Sequence, residues 1–291
     1  MAEAGPTRRE VVHGAARLAV VERGAGDAVV FLHAGVADHR MWRGQLDTLS
    51  DRWRCVAYDR RGFGATHTRP EPYTRVGDLV AVLDALRIER AVLVGCSQGG
   101  RTAIDAALAH PDRVRALVLV ASAVTGAPEV DQFAPEIAVR LEALEAAEAR
   151  QDLEAVNELE AQLWLDGPAQ PAGRVGGAVR ALFLAMNGDA LRLAATAGEA
   201  LAAPSAWPRL HEIAVPTLVV WGPLDFPHLV ERMRQLVAAV PGARGHELGG
   251  TAHLPNLERP EAFDALLREF LALHAAGRAA PLSARAASTR S

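Results

Sequence analysis

The sequence predicts an α/β protein: a doubly wound, mostly parallel sheet with an inserted all-helical segment. Three observations point there. Short apolar runs recur along the chain without the alternation of a half-exposed strand, as expected of strands covered on both faces. Amphipathic helical patterns separate them. One long stretch, from about 124 to 208, carries helical patterns alone.

Taken in order, Val11 to Arg23 is mixed in character and suits an antiparallel edge hairpin. Val29-Val30-Phe31-Leu32, Arg54 to Tyr58, Ala91 to Val94, Ala116 to Val120 and Thr217 to Trp221 are the buried-strand candidates, with Arg244 to Leu248 the expected last strand. Asp78 to Leu86 has apolar residues at helical spacing, and Pro227 to Val240 repeats the pattern before Pro241-Gly242 stops it. Pro260 opens a final helix where its missing N–H costs nothing, with Phe263, Leu266, Leu267, Phe270 and Leu271 on one face. Inside the long segment, Pro135 to Arg150 is helical, and Asp152 reads as the N-cap of a helix reaching Leu165 before Gly167-Pro168. Arg174 to Met186 and Asp189 to Leu201 read as two more helices. The expected organisation is a first core part at 1–123, a helical lid at 124–208, a second core part at 209–276 and a flexible tail at 277–291.

Composition narrows the function classes. A length of 291 residues fits one large α/β domain or one with an insertion. The net charge of −4, without a basic block, argues against nucleic acid or an anionic membrane as partner. All 31 cationic side chains are Arg, so lysine Schiff-base chemistry is excluded. The two cysteines, Cys55 and Cys96, fall in strand candidates and suit a reduced interior. No signal-like h-region opens the chain and no apolar stretch is long enough to span a bilayer, so a soluble, cytoplasmic protein is expected.

The sharpest chemical signal is Gly95-Cys96-Ser97-Gln98-Gly99-Gly100, between a strand candidate and a helical stretch. A Ser on such a turn adopts a strained backbone that lifts its hydroxyl above the sheet, and the glycines two residues to either side remove clashes. Chance composition would give about 0.05 such G-x-S-x-G matches in a chain with these Gly and Ser contents. The alternative, a glycine-rich dinucleotide turn, lacks the G-x-G-x-x-G spacing and the acidic ribose partner. A serine nucleophile needs a base, and the base needs an orienting acid. Among 10 histidines, His253 stands in a loop after the expected last strand, at the sheet edge where ligands bind. His13, His110, His211 and His274 fall elsewhere, and His33 reads as a structural hydrogen-bonder. Asp225 ends a buried-strand candidate on that same edge; it reads as the acid, against the plainer role of capping the helix near Pro227. An oxyanion hole would take the N–H groups of Gln98 and Gly35.

Leu32-His33-Ala34-Gly35, Tyr58-Asp59-Arg60-Arg61-Gly62-Phe63-Gly64, Gly95 to Gly99, Trp221 to Asp225 and Gly250 to Pro260 together resemble the motifs of the cofactor-free, lidded α/β-hydrolases. That family holds esterases, enol-lactonases, C–C bond hydrolases, haloalkane dehalogenases and cofactor-free haloperoxidases. The resemblance covers about residues 10–275. Ala34 stands where the family usually has Gly, and Ser97 stands where dehalogenases and epoxide hydrolases have Asp, which argues against both activities. The resemblance implies the α/β-hydrolase fold and a carboxylic ester or lactone hydrolase using Ser97, His253 and Asp225. The alternatives are C–C bond cleavage or perhydrolysis by the same residues, or a non-enzymatic small-molecule binder. Neither cofactor nor metal is expected, since no H-E-x-x-H or zinc spacing occurs. Phe133, Trp164, Leu165, Phe183 and Met186 are candidate pocket walls for a small or medium apolar substrate, weighed against ordinary helix packing. Arg60, Arg61 and Arg101 read as exposed, solvated side chains rather than carboxylate readers.

Overall fold

A computed structural model describes residues 5–130, 132–193 and 198–275. Eight strands form one sheet in the order β1-β2-β4-β3-β5-β6-β7-β8. They are β1 (Thr7–His13), β2 (Ala16–Arg23), β3 (Ala28–Leu32), β4 (Arg54–Tyr58), β5 (Ala91–Cys96), β6 (Val114–Val120), β7 (Thr217–Trp221) and β8 (Arg244–Glu247). The hairpin β1–β2 lies antiparallel on β4, and every pairing from β4 to β8 is parallel. The chain is therefore an α/β protein with a mostly parallel, doubly wound sheet.

Both faces of the central strands are covered, which explains their unbroken apolar runs. Val30 and Leu32 of β3 join one core with Leu79, Val82 and Leu83 of α2 (Arg75–Ala85) and Ile104 of α3 (Gln98–Ala109). Val29 and Phe31 point the other way, onto Leu46 and Leu49 of α1 (Arg43–Leu49). Burying each such side chain contributes about 1.5–3 kcal/mol. β8 differs from the rest: all four of its residues are exposed, as an edge strand allows.

Between β6 and β7 the described residues hold α4 (Pro135–Ala149), α5 (Leu153–Glu160), a π-type turn (Ala161–Asp166) and α6 (Gly177–Leu193). Asp152 caps α5, its carboxylate accepting the Ala155 N–H at 3.1 Å. The helix expected to run to Leu165 keeps α register only to Glu160. The two helices expected at 174–186 and 189–201 are instead one. Gly188 does not break α6, because it is a contact point: a Cβ there would stand 3.0 Å from Asn157 Nδ2 on α5. Beyond α6, Ala200 pairs as a bridge with Tyr73 rather than continuing a helix. The tail expected at 277–291 lies outside the described residues.

The chain returns to the sheet at β7, followed by α7 (Pro227–Ala239), β8, the short α8 (Pro255–Glu258) and α9 (Pro260–His274). Phe263, Leu267, Phe270 and Leu271 of α9 complete the second core. Among the described residues no helix is long and apolar enough to cross a membrane.

Candidate active site

Ser97 sits between β5 and α3 with φ +51° and ψ −114°, a left-handed conformation that costs a non-glycine residue about 1–3 kcal/mol. The surroundings enforce it. A Cβ on Gly95 would lie 2.5 Å from the Gly99 carbonyl, and one on Gly99 would lie 2.1 Å from the Leu32 carbonyl oxygen. The Ser97 N–H donates to the Val120 carbonyl at 2.9 Å, and its own carbonyl accepts from Arg101 and Ala123. Its hydroxyl makes no capping bond to α3.

Ser97 lines a cavity of about 290 Å³ together with His253, Gly35, Gln98, Trp164 and Glu160. His253 and Asp225 are both buried, and His253 Nδ1 lies 2.7 Å from Asp225 Oδ2. A carboxylate only accepts, so Nδ1 carries a proton, and in the neutral ring the lone pair is on Nε2. The other Asp225 oxygen accepts the Phe226 N–H at 2.8 Å, which fixes the carboxylate plane. That second bond partly answers the plainer reading of Asp225: it does bond at the entry to α7, while also holding the imidazole.

The loop carrying His253 is clamped against the loop after β7. A Cβ on Gly222 would lie 2.2 Å from the carbonyl oxygens of Thr251 and Ala252, and Leu224 donates to the Thr251 carbonyl at 3.0 Å. Glu258 accepts the Ala252 N–H at 2.9 Å. From the segment between β6 and β7, the Trp164 ring stands 4.7 Å from that of His253.

Gly35 and Gln98 border the same cavity. The Gln98 N–H belongs to the first turn of α3 and has no acceptor within the helix. A Cβ at Gly35 would lie 2.7 Å from the side-chain Nε2 of Gln98, so a larger residue there would push that side chain aside. His33 holds this loop from behind. Its Nδ1 meets the Ala34 carbonyl at 2.7 Å and its Nε2 accepts the Arg60 N–H at 3.0 Å. Burial, reinforced by Arg60, brings its pKa to about 3, so the ring stays neutral and structural.

Other expectations give way. Of the five candidate pocket walls, Trp164 borders the cavity. Leu165, Phe183 and Met186 are fully buried in the core, and Phe133 packs with Ile137, Leu163, Phe226 and Leu229. Apolar spacing on a helix marks burial without saying whether ligand or protein covers the face. Arg60 and Arg61, expected in solvent, are 5% and 1% exposed. Arg61 is bound by Asp78 at 2.9 Å and by Glu71. Arg101 does border the Ser97 cavity.

Two side chains escaped sequence reasoning. Glu160 faces Ser97 from α5, four residues before Trp164 and hence on its side of the helix. Burial raises its pKa, and Asn187 Nδ2 donates to it at 2.6 Å. The Glu160–Trp164 spacing was a usable signal; Asn187, from α6, had none. His13, 2.7 Å from Asp78, and His39, 2.8 Å from Asp59, serve carboxylate contacts away from this cavity. Asp38, His39 and Asp59 form a compact acid–imidazole cluster, but its carboxylates are committed to Arg40, His39 and backbone N–H groups.

A family model described as alpha/beta hydrolase fold matches residues 27–260. Among curated proteins, an "Epoxide hydrolase" from Caballeronia sordidicola is 40% identical over 106 residues, 34% of this chain and 32% of that protein. A "2-hydroxymuconate semialdehyde hydrolase" from Pseudomonas sp. (strain CF600) is 39% identical over 122 residues, 40% of this chain and 43% of that protein. These alignments thus span less than half of either relative. Among solved structures, that of "Est816 as an N-Acyl homoserine lactone degrading enzyme" matches with a TM-score of 0.71 at 27% identity, covering 90% of this chain and 99% of that one.

Proposed function

This chain belongs to the α/β-hydrolase fold family, and we propose that within it the chain is a serine hydrolase cleaving a carboxylic ester or lactone through an acyl-enzyme. The observation that carries this reading is the buried 2.7 Å contact between His253 and Asp225 at a cavity that Ser97 also lines. Ser97 Oγ attacks the carbonyl carbon while His253 Nε2 takes the hydroxyl proton. The developing oxyanion is held by the N–H groups of Gln98 and Gly35. His253 then hands the proton to the departing alkoxide, which leaves as an alcohol or, from a lactone, stays tethered. Water, deprotonated by the same nitrogen, attacks the acyl carbon and releases the acid, and the proton returns to Ser97. Asp225 holds the imidazole in the tautomer that both steps need.

The similarity to a lactone-degrading enzyme over nearly the whole chain supports a lactone within this class. The second reading is hydrolytic C–C cleavage by the same residues, which draws on the semialdehyde hydrolase relative. Ser97 at the nucleophile position disfavours the epoxide chemistry named for the other relative.

The test is Ser97→Ala. It is expected to abolish turnover of p-nitrophenyl butyrate and labelling by a serine-directed phosphonate, with an unchanged circular dichroism spectrum. Activity that persists in this variant removes the nucleophile and the reading with it.

A further inference from the structure

Three guanidinium groups crowd the approaches to Ser97. Arg60 follows β4, Arg75 opens α2 and Arg101 lies one turn beyond Ser97 on α3. Among the described residues, none of the three has a carboxylate at ion-pair distance, whereas the adjacent Arg61 holds two. Arg60, although buried, meets neutral groups: Gln98 Oε1 at 2.9 Å, the Ala34 carbonyl at 3.0 Å, His33 Nδ1 at 3.5 Å and the face of the Phe63 ring at 4.6 Å. The Nε atoms of Arg60 and Arg101 are both buried without a partner. Burial brings the Arg60 pKa down to about 10, with Arg75 and Arg101 adding repulsion. Arg101 is lowered in the same way, by burial first and Arg75 second.

These groups border three hollows that share walls. Arg101 lines the Ser97 cavity; Arg60 and Arg75 line one of about 310 Å³; Arg75 and Arg101 line one of about 540 Å³ between α2 and α3. Gly35, Gln98 and Glu160 are common to the first two. The acids nearby compensate the cluster only in part: Asp105 attracts Arg101 and Arg75 from beyond ion-pair distance, while its own burial raises its pKa. Asp105 is engaged by Thr125 at 2.8 Å, and burial favours the uncharged form of Glu160. Unpaired cations at the edge of a low-dielectric cavity are costly unless a ligand brings the counter-charge.

We propose that Arg101 and Arg75, backed by Arg60, form a subsite for a carboxylate carried by the substrate, so that the ester or lactone cleaved at Ser97 is a monoanion. This rests on the hydrolase reading above and specifies its substrate class. A monoanion suits the local balance, because Asp105 lines the same hollow as Arg75 and Arg101 and would meet the second charge of a phosphate. The subsite departs from the purely apolar pocket that the helical aromatics suggested.

The test compares mono-p-nitrophenyl adipate with p-nitrophenyl hexanoate, which differ in a terminal carboxylate against a methyl on the same chain. The parent enzyme is expected to favour the adipate about tenfold in kcat/KM, mainly through KM, and Arg101→Gln and Arg75→Gln should each cut that ratio about tenfold. A preference for hexanoate, or a ratio that survives both substitutions, overturns the subsite. Calorimetry separates this from failure of the hydrolase reading. Mono-p-nitrophenyl adipate is titrated into Ser97→Ala and into Ser97→Ala with Arg101→Gln. About tenfold weaker binding to the double variant is expected; equal binding, or stronger displacement by inorganic phosphate than by adipate, overturns the proposal. If the parent turns over neither ester but this binding difference stands, the subsite holds and the hydrolase reading falls.

Discussion

Asp225 uses each carboxylate oxygen once, on His253 Nδ1 and on the Phe226 N–H, and neither is replaceable by an amide without loss. In Asp225→Asn the amide oxygen can keep the Phe226 bond, which turns the NH₂ toward His253. The ring must then accept at Nδ1 and carry its proton on Nε2, where it can no longer receive the Ser97 proton. We expect kcat for p-nitrophenyl butyrate to fall about 10⁴-fold, with the thermal midpoint nearly unchanged. A variant within tenfold of the parent would assign the orienting acid to another residue. The positions of Ser97, Asp225 and His253 at the ends of strands were legible because each sits in a local pattern whose strand, turn and helix context can be read from neighbours. The pocket walls were not. Leu165, Phe183 and Met186 have the same apolar character as a ligand wall, and only the packing of the helices onto the sheet decides that protein covers them. The unpaired state of Arg101 was equally hidden, since it depends on the absence of an acid from distant stretches.

At the scale of elements, the loops after β3 and β4 are tied together by one buried carboxylate. Asp59 accepts from the His39 backbone N–H at 2.7 Å, from His39 Nδ1 at 2.8 Å and from the Ala65 N–H at 2.8 Å. A Cβ on Gly64, at φ +51°, would lie 2.2 Å from Asp59 Oδ2, which explains the glycine that ends this turn motif. Burial works against the charged pair, yet the mutual hydrogen bond and attraction raise the His39 pKa and lower that of Asp59. A histidine raised on folding contributes stability that is complete below its unfolded pKa, about 6.5, and lost as pH climbs through the folded value. The thermal midpoint is therefore expected to fall with rising pH above about 6.5 more steeply in the parent than in His39→Gln. Parallel curves would mean that the imidazolium does not contribute. The motif Tyr58 to Gly64 was visible in the sequence, but its partner His39 was not, because the contact joins two loops with no shared periodicity. The unbroken α6 was missed for a related reason: glycine lowers helix propensity locally, and the close approach of α5 that requires it is a tertiary fact.

Over the whole molecule, two of the arginine contacts that join the segment between β6 and β7 to the rest are of unequal character. Arg40 reaches Asp189 on α6 at 2.7 Å, with both side chains more than a third exposed, so the pair is screened and worth about 0–1 kcal/mol. Arg174 is placed differently. It donates to the carbonyls of Leu165 at 2.8 Å and Asp166 at 2.5 Å, where the π-type turn ends, and to the Gly250 carbonyl at 3.1 Å beside the His253 loop. Its remaining partner is the buried carboxylate of Glu258, which also accepts the N–H of Ala252, next to His253. Burial already pushes the Glu258 pKa up against these bonds, so removing the guanidinium leaves a poorly compensated charge under the imidazole loop. Arg174→Met is therefore expected to cost about 3–5 kcal/mol in denaturant unfolding, and to lower kcat as the His253 loop loosens. Asp189→Ala, which severs the other contact, should cost no more than about 1 kcal/mol and leave kcat close to the parent value. Equal losses in the two variants would mean that Arg174 is only one more surface contact. The expected difference would instead make Arg174 the joint between the inserted helices and the His253 loop.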